Sequence, residues 1–186
     1  GNGIKDHNNI ANLLAYIAVG AYRTYGHFPR PLQLISVLCS KIYNDQNLLH
    51  GLKTGQGKTI AIALNDAFDA LVGAKVIITT STYELASRDA LGQRKFHNYL
   101  GPKSANNPIT PLSTTMEEFE KYDVHYATLS DVTLWRLNQQ ANGERFRDKE
   151  GHPIRIRVKA DEIDRDAHSP VKQRLAKRGE VKKNSA

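Results

Sequence analysis

The stretch "GLKTGQGKTIAIALNDAF", residues 51–68, sets Gly55 and Gly57 either side of a Gln, follows them with Lys58 and Thr59, and then runs on with apolar periodicity. Flexible residues directly ahead of a lysine and a helix have a physical use. Small residues let consecutive backbone N–H groups turn inward on an anion, and the helix N-terminus behind them adds its partial positive charge. In that reading Thr54, Gly55, Gln56 and Gly57 cradle phosphates, Lys58 reaches the β- and γ-phosphates, and the Thr59 hydroxyl ligates Mg²⁺. The general pattern G-x-x-x-x-G-K-[ST] expects a small first residue, and Leu52 stands there. The plain alternative is a flexible turn beside an ordinary helix. It is weaker because a strand, the loop, Gly-Lys-Thr and a helix occur in the required order.

The flanking sequence predicts an α/β chain. "LLHGL" reads as a short buried strand entering the loop, and Lys58 to Leu71 as a helix ended by Gly73. "AKVIITT" is a β-branched strand, followed by "YELASRDALGQRKFHNYL" as an amphipathic helix stopped by Gly101-Pro102. A polar, proline-bearing loop leads to a short helix near "TTMEEFEKY". The strand "DVHYAT", the helix "SDVTLWRLNQQ", an Asn-Gly turn region and the last strand "IRIRVKADE" follow. Strands alternating with helices require crossover connections and therefore a parallel sheet. Upstream, Asn8 or Asn9 is expected to cap a packing helix bearing Ile10, Leu13, Leu14, Ile17 and Ala21, and Pro31 to open a second helix.

A phosphate loop binds; hydrolysis needs an acid to hold the metal and a base to orient water. The strand "IRIRVKADE" ends in Asp161 and Glu162, the arrangement in which the Asp holds Mg²⁺ and the Glu polarises the attacking water. Alone, such a pair is most often a solvated surface feature. The same strand alternates Ile154, Ile156 and Val158 with Arg155, Arg157 and Lys159, whereas a central parallel strand is apolar on both faces. One of its faces should lie exposed or meet acidic groups.

Four blocks, in order, resemble the DEAD-like first nucleotide-binding lobe of SecA preprotein-translocase ATPases. "LKTGQGKT" resembles the SecA-type phosphate loop, which also carries a large apolar residue where Leu52 stands. "TTSTYELASRDA" resembles the block after the second strand. "YDVHYATLSDVTLWRL" resembles a strand-and-helix block with a Tyr-Gly-Thr core, Ala127 replacing the Gly. "VKADEIDRDAHSP" resembles a shortened Walker B block. "RPLQL" resembles an adenine-reading Q motif, with Gln33 as its amide. The resemblance spans residues 27 to 170, with a packing helix over 1–26 and a basic tail over 171–186. It implies a RecA-like P-loop lobe, ATP and Mg²⁺, unfolded polypeptide as substrate, a second RecA-like lobe supplying an arginine finger, membrane translocation machinery as a partner, and a cytoplasmic site of action, peripheral at a membrane. Glu162 and Lys58 are then the catalytic pair, and Thr59 and Asp161 the metal-binding one.

Composition bounds the alternatives. The chain has 186 residues, 40% apolar and 8% aromatic, enough for one sizeable core and typical of a soluble protein. Cys39 is the only cysteine, so no internal disulfide can form and a cytosolic setting is the default. The start "GNGIKDHNN" lacks both an initiator Met and a signal-peptide layout, and a segment of a longer protein is expected, ending where the family's polypeptide-binding insertion begins. Of the formal charge of +7, five units sit in residues 171–186, where six Lys/Arg face one Glu. That tail is a solvated helix or a polyanion-binding arm, and the second option keeps a nucleic-acid helicase lobe as an alternative, beside a nucleotide switch without hydrolysis. Arg88 and Asp89 read as solvated neighbours. Trp135, Tyr126, Tyr16, Tyr22 and Tyr25 read as packing residues, and Asp164, Asp166 and His168 lack the spacing of a dedicated metal site.

Overall fold

The run "AKVIITT" forms the middle of the sheet because its β-branched side chains fit a strand buried on both faces. The computed structural model describes residues 7–42, 57–144, 146–147 and 150–161. Among these, β1 (Lys75–Thr80) lies between β2 (Val124–Thr128) and β3 (Ile156–Ala160), both parallel to it. Register pairs Ile77 with His125 on one side and with Val158 on the other. The expected strand "LLHGL" lies outside the described residues. On its far side β2 is accompanied by the preceding loop, where Ala105 N–H donates to the Val124 carbonyl at 2.9 Å and Ile109 N–H to that of Tyr126 at 2.8 Å. Those bonds satisfy an edge that would otherwise be left open.

Six helices stand among the described residues: α1 (His7–Tyr25), α2 (Pro31–Ile42), α3 (Lys58–Leu71), α4 (Tyr83–Leu100), α5 (Met116–Lys121) and α6 (Leu129–Ala141). Alternation along β1 sorts them into two layers. Val76 and Ile78 pack with Ala86 and Ala90 of α4 and Tyr126 of β2, with Ile62 and Ala70 of α3 at the margin. Ile77 faces the other way, toward Met116 and Phe119 of α5 and Val132 and Trp135 of α6. The Trp135 indole N–H donates to the Thr114 carbonyl at 2.7 Å, so its polar edge is satisfied in the core. The second layer thus rests on a ring whose polar atom is fixed.

Below α3 and α4 lies a further apolar cluster in which α1 contributes Ile10, Ile17 and Ala21 and α2 contributes Val37. Here α1 crosses α4 so closely that a Cβ built on Gly20 would stand 2.4 Å from Leu100 Cδ2. The N-terminal helix is already formed at His7, so neither Asn8 nor Asn9 caps it as expected; a cap sits one residue before the first helical position. The remaining helices agree with the sequence reading. Of the aromatics expected in the core, Trp135 and Tyr126 are buried, while Tyr16 and Tyr22 are about half exposed.

Two histidines are sealed in these layers. Burial pushes His97 down to about 4, partly opposed by the Ala63 backbone, and burial pushes His125 down to about 4 as well. His125 Nε2 lies 3.0 Å from the Phe119 carbonyl and 3.1 Å from that of Tyr122. Between pH 6.5 and 4 an unfolded chain protonates these rings while the folded one keeps them neutral, so the unfolded state binds more protons and stability falls on acidification. Each ring accounts for up to roughly 3 kcal/mol over that window. The variant His97→Gln, which cannot titrate there, should lose less stability than wild type between about pH 7 and pH 4.5 in urea unfolding. Parallel losses would show that His97 does not carry this linkage.

Candidate functional site

In a parallel sheet all strands end on one edge, and a helix that feeds a strand returns antiparallel to it. The α3–β1 link shows this. Gly73, at φ 85°, turns the chain, and Ala74 N–H closes on the Asp69 carbonyl at 3.0 Å before β1 begins. The start of α3 therefore stands at the same edge as the carboxyl ends of β1 and β3. Lys58 and Thr59 of α3 and Asp161, directly after β3, are brought to one edge by this topology.

Three other helices begin with a threonine whose hydroxyl accepts a backbone N–H of the first turn. Thr82 accepts from Leu85 at 3.3 Å, Thr115 from Glu118 at 3.1 Å and Thr128 from Asp131 at 3.0 Å. The α3 helix starts differently. Its cap is Gly57, left-handed at φ 75° and ψ 47°, with no side-chain hydrogen bond to the first turn. Its first-turn donors are thus left uncapped by any described side chain, beside a half-buried Lys58 and an exposed Thr59. This is the arrangement an anion needs.

Gln33, buried in α2, holds this turn from behind. Its Oε1 accepts the Arg30 N–H at 2.8 Å and its Nε2 donates to the Gly57 carbonyl at 3.1 Å. The amide expected to read a base is thereby tied to the end of the glycine loop. Asp161 is half-buried, and its N–H donates to the Thr79 carbonyl at 2.9 Å, continuing the β1–β3 ladder one residue beyond the strand. Thr54, Gly55, Gln56 and Glu162 lie outside the described residues, as do Leu52, Asp164, Asp166, His168 and the basic tail.

The alternation of "IRIRVKA" resolves into two different faces. Ile156 packs toward Trp135 and Phe119, and farther along that face Val158 is 54% exposed. On the opposite face Lys159 meets α3, its Nζ lying 3.0 Å from Asp66 Oδ1 and 2.7 Å from Asp69 Oδ2. Lys41 of α2 completes the group at 2.8 Å from Asp69 Oδ1. Burial pushes the Asp66 carboxyl up to about 6 against the pull of Lys159. Burial likewise brings Lys41 down to about 8, reinforced by Lys159 and opposed by Asp69. At Asp69 burial works upward, but Lys159 and Lys41 together hold the carboxyl below its ordinary range. Both Lys159 approaches, to Asp66 and to Asp69, are ion contacts without hydrogen-bond alignment.

Sequence reasoning missed this quartet. The signal was present: Asp66 and Asp69 stand three apart on the buried stripe of α3, and the alternating strand called for acids opposite it. Arg88 and Asp89, expected to be merely solvated, pair at 2.8 Å with the carboxylate largely buried and the guanidinium exposed. A recess of about 480 Å³ lies elsewhere, between the loop beside β2 and α5, lined by Asn106, Thr110, Ser113, Glu118 and Tyr122 among others, and none of the expected site residues that are described lines it. Among the described residues no three His, Cys, Asp or Glu side chains gather as a metal cage, and no helix is long and apolar enough to cross a membrane.

The family model of the SecA DEAD-like domain matches residues 2–164. The chain is also 29% identical over 131 residues to the protein translocase subunit SecA of Mesomycoplasma hyopneumoniae (strain 7448). That alignment covers 70% of this chain and 13% of the relative, so the chain spans a small part of the relative's length.

The turn ahead of α3 can be tested against a second left-handed glycine. Gly57 and Gly73 both have positive φ, but a Cβ at Gly57 would stand 2.4 Å from Gln33 Nε2, whereas one at Gly73 meets nothing within 4 Å. Gly73→Ala should cost only the backbone strain of about 1–2 kcal/mol. Gly57→Ala should cost about 1–2 kcal/mol more, because Gln33 must also move. Denaturant midpoints of the two variants measure the difference, and equal losses would mean that Gln33 does not brace the turn.

Proposed function

The chain belongs to the family of SecA DEAD-like domains, with their RecA-like α/β fold, and we propose that it is the ATP-binding motor lobe of a SecA-like ATPase that couples hydrolysis to polypeptide movement. The observation that carries this reading is the left-handed start of α3, uncapped by any described side chain, at the sheet edge where β3 delivers Asp161. The residues present suit Mg-ATP. Backbone N–H groups and Lys58 offer donors and positive charge to phosphate oxygens, while the Thr59 hydroxyl and the Asp161 carboxylate offer the oxygen ligands that Mg²⁺ prefers. When bound, Mg-ATP supplies an activated phosphoric anhydride whose hydrolysis releases the free energy for work.

In this scheme Lys58 binds and orients the β- and γ-phosphates, and Thr54, Gly55, Gln56 and Gly57 enclose them with backbone donors. Thr59 and Asp161 hold the metal, and Glu162 takes a proton from the attacking water. Gln33 contributes by fixing Gly57, and its amide is the one that would read the nucleotide's base. A single lobe offers half of the nucleotide sandwich, and an arginine finger from a second lobe is worth about 10³ to 10⁵ in rate. Slow turnover is therefore expected of this chain alone. Unfolded polypeptide, a second RecA-like lobe and membrane-associated translocation machinery are the partners that follow, with action at the cytoplasmic side of a membrane. The SecA relative, a protein translocase subunit, supports the polypeptide-translocation part of this reading.

Calorimetric titration with Mg-ATP tests the site. The wild-type chain should bind, and Lys58→Ala, folded by circular dichroism, should lose at least about tenfold in affinity, the worth of one charge-assisted contact. Glu162→Gln should bind as wild type does and lose about 10²-fold or more of its residual hydrolysis. Equal binding by wild type and Lys58→Ala would overturn the reading.

A further inference from the structure

The site needs Asp161 and Thr59 at a fixed separation, yet they belong to different layers. Asp161 follows a strand and Thr59 starts a helix packed across it. Among the described residues the strand is hydrogen-bonded to β1 at this end: Asp161 N–H donates to the Thr79 carbonyl at 2.9 Å, and the Thr79 side-chain hydroxyl to the Lys159 carbonyl at 3.4 Å. Neither bond sets the distance to α3. Where β1 meets the helices, Val76 and Ile78 do so through apolar contact, which is non-directional and tolerates sliding.

Lys159 is the register partner of Ile78 and lies on the same helix-facing side of the sheet. In place of an apolar side chain it presents an ammonium to two carboxylates on α3, at 3.0 Å and 2.7 Å. Asp66 and Asp69 are fully and almost fully buried, and Lys41 anchors Asp69 from α2, so the acids cannot turn away to water. A buried charge pair loses its stabilisation steeply when separated, because each ion is left uncompensated in a poor solvent. From Lys159 the strand continues two residues to Asp161, and from Asp66 the helix runs back two turns to Lys58 and Thr59, both toward the same edge.

We propose that Lys159 is a positioning residue: its contacts with Asp66 and Asp69 fix the stand-off between the carboxyl end of β3 and the first turn of α3, and thereby set Asp161 within metal-sharing reach of Thr59. This rests on the nucleotide-site reading above. The lysine touches neither nucleotide nor metal; it acts through where it holds Asp161. Its loss should consequently lower the benefit of Mg²⁺ and leave the metal-free contacts of Lys58 and the loop in place.

The test is the ratio of ATP affinity in Mg²⁺ to that in EDTA, measured by calorimetry on the whole chain. Lys159→Met should reduce that ratio about tenfold, the usual scale for removing a group that orients a metal ligand, with the EDTA affinity within about twofold of wild type. Lys159→Arg, which keeps the charge, should restore most of the ratio. Should Lys159→Met fail to fold, Asp66→Asn with Lys159→Met removes one charge of each sign and keeps the Lys41–Asp69 pair; it should show the same reduced ratio. A folded variant with the wild-type ratio overturns the role of Lys159 while leaving the nucleotide site standing. If wild type binds ATP in neither condition, the nucleotide reading falls and the positioning role falls with it.

Discussion

The structure depends on the burial of β1 on both faces. A strand so placed has its backbone donors and acceptors taken up by β2 and β3, and its side chains by two helical layers. Because its neighbours are parallel to it, each connection must cross the sheet and return. This single constraint sends every strand end to one edge and brings the start of α3 there too. The candidate site is a by-product of that geometry before any of its residues contributes chemistry.

Chemistry enters through the way α3 begins. At α4, α5 and α6 a threonine completes the helix start, which stabilises the helix and occupies donors that a ligand would use. At Gly57 the backbone takes a left-handed turn, and no described side chain caps the first-turn donors. The turn would be costly if it were also loose, and Gln33 prevents that from within the adjoining layer. In the proposed reading local helix stability is traded for an anion-accepting end, and a neighbouring helix supplies rigidity through Gln33.

Much of this was legible in the sequence because it rests on local signals. The β-branched run of β1, the Thr and Gly boundaries of α4 and the Gly-Lys-Thr order ahead of α3 each act through their own neighbourhood. The segment "IRIRVKADE" was legible as a strand, and its alternation as a demand for acids or solvent. Both outcomes occur: Lys159 meets Asp66 and Asp69, and Val158 is exposed. Which acids would answer was not readable, since Asp66 and Lys159 are far apart along the chain and meet only once the layers are stacked. The hold of Gln33 on Gly57 was hidden similarly. A motif can nominate an amide for a base, but only packing shows that it also grips Gly57. The misplaced cap at Asn8 or Asn9 has a smaller cause, for two adjacent asparagines mark a helix start only to within a turn.

The close approach of α1 to α4 at Gly20 makes residues 20 and 100 a shared volume. No side chain can be added at 20 unless the one at 100 retracts, so relatives that keep this crossing should vary the two positions together, a larger residue at one matched by a smaller at the other. The first helix is in that sense keyed to the fourth, and an amphipathic helix of equal length and hydrophobicity, lacking that notch, would ride higher and leave Phe96 and Phe68 beneath it partly uncovered.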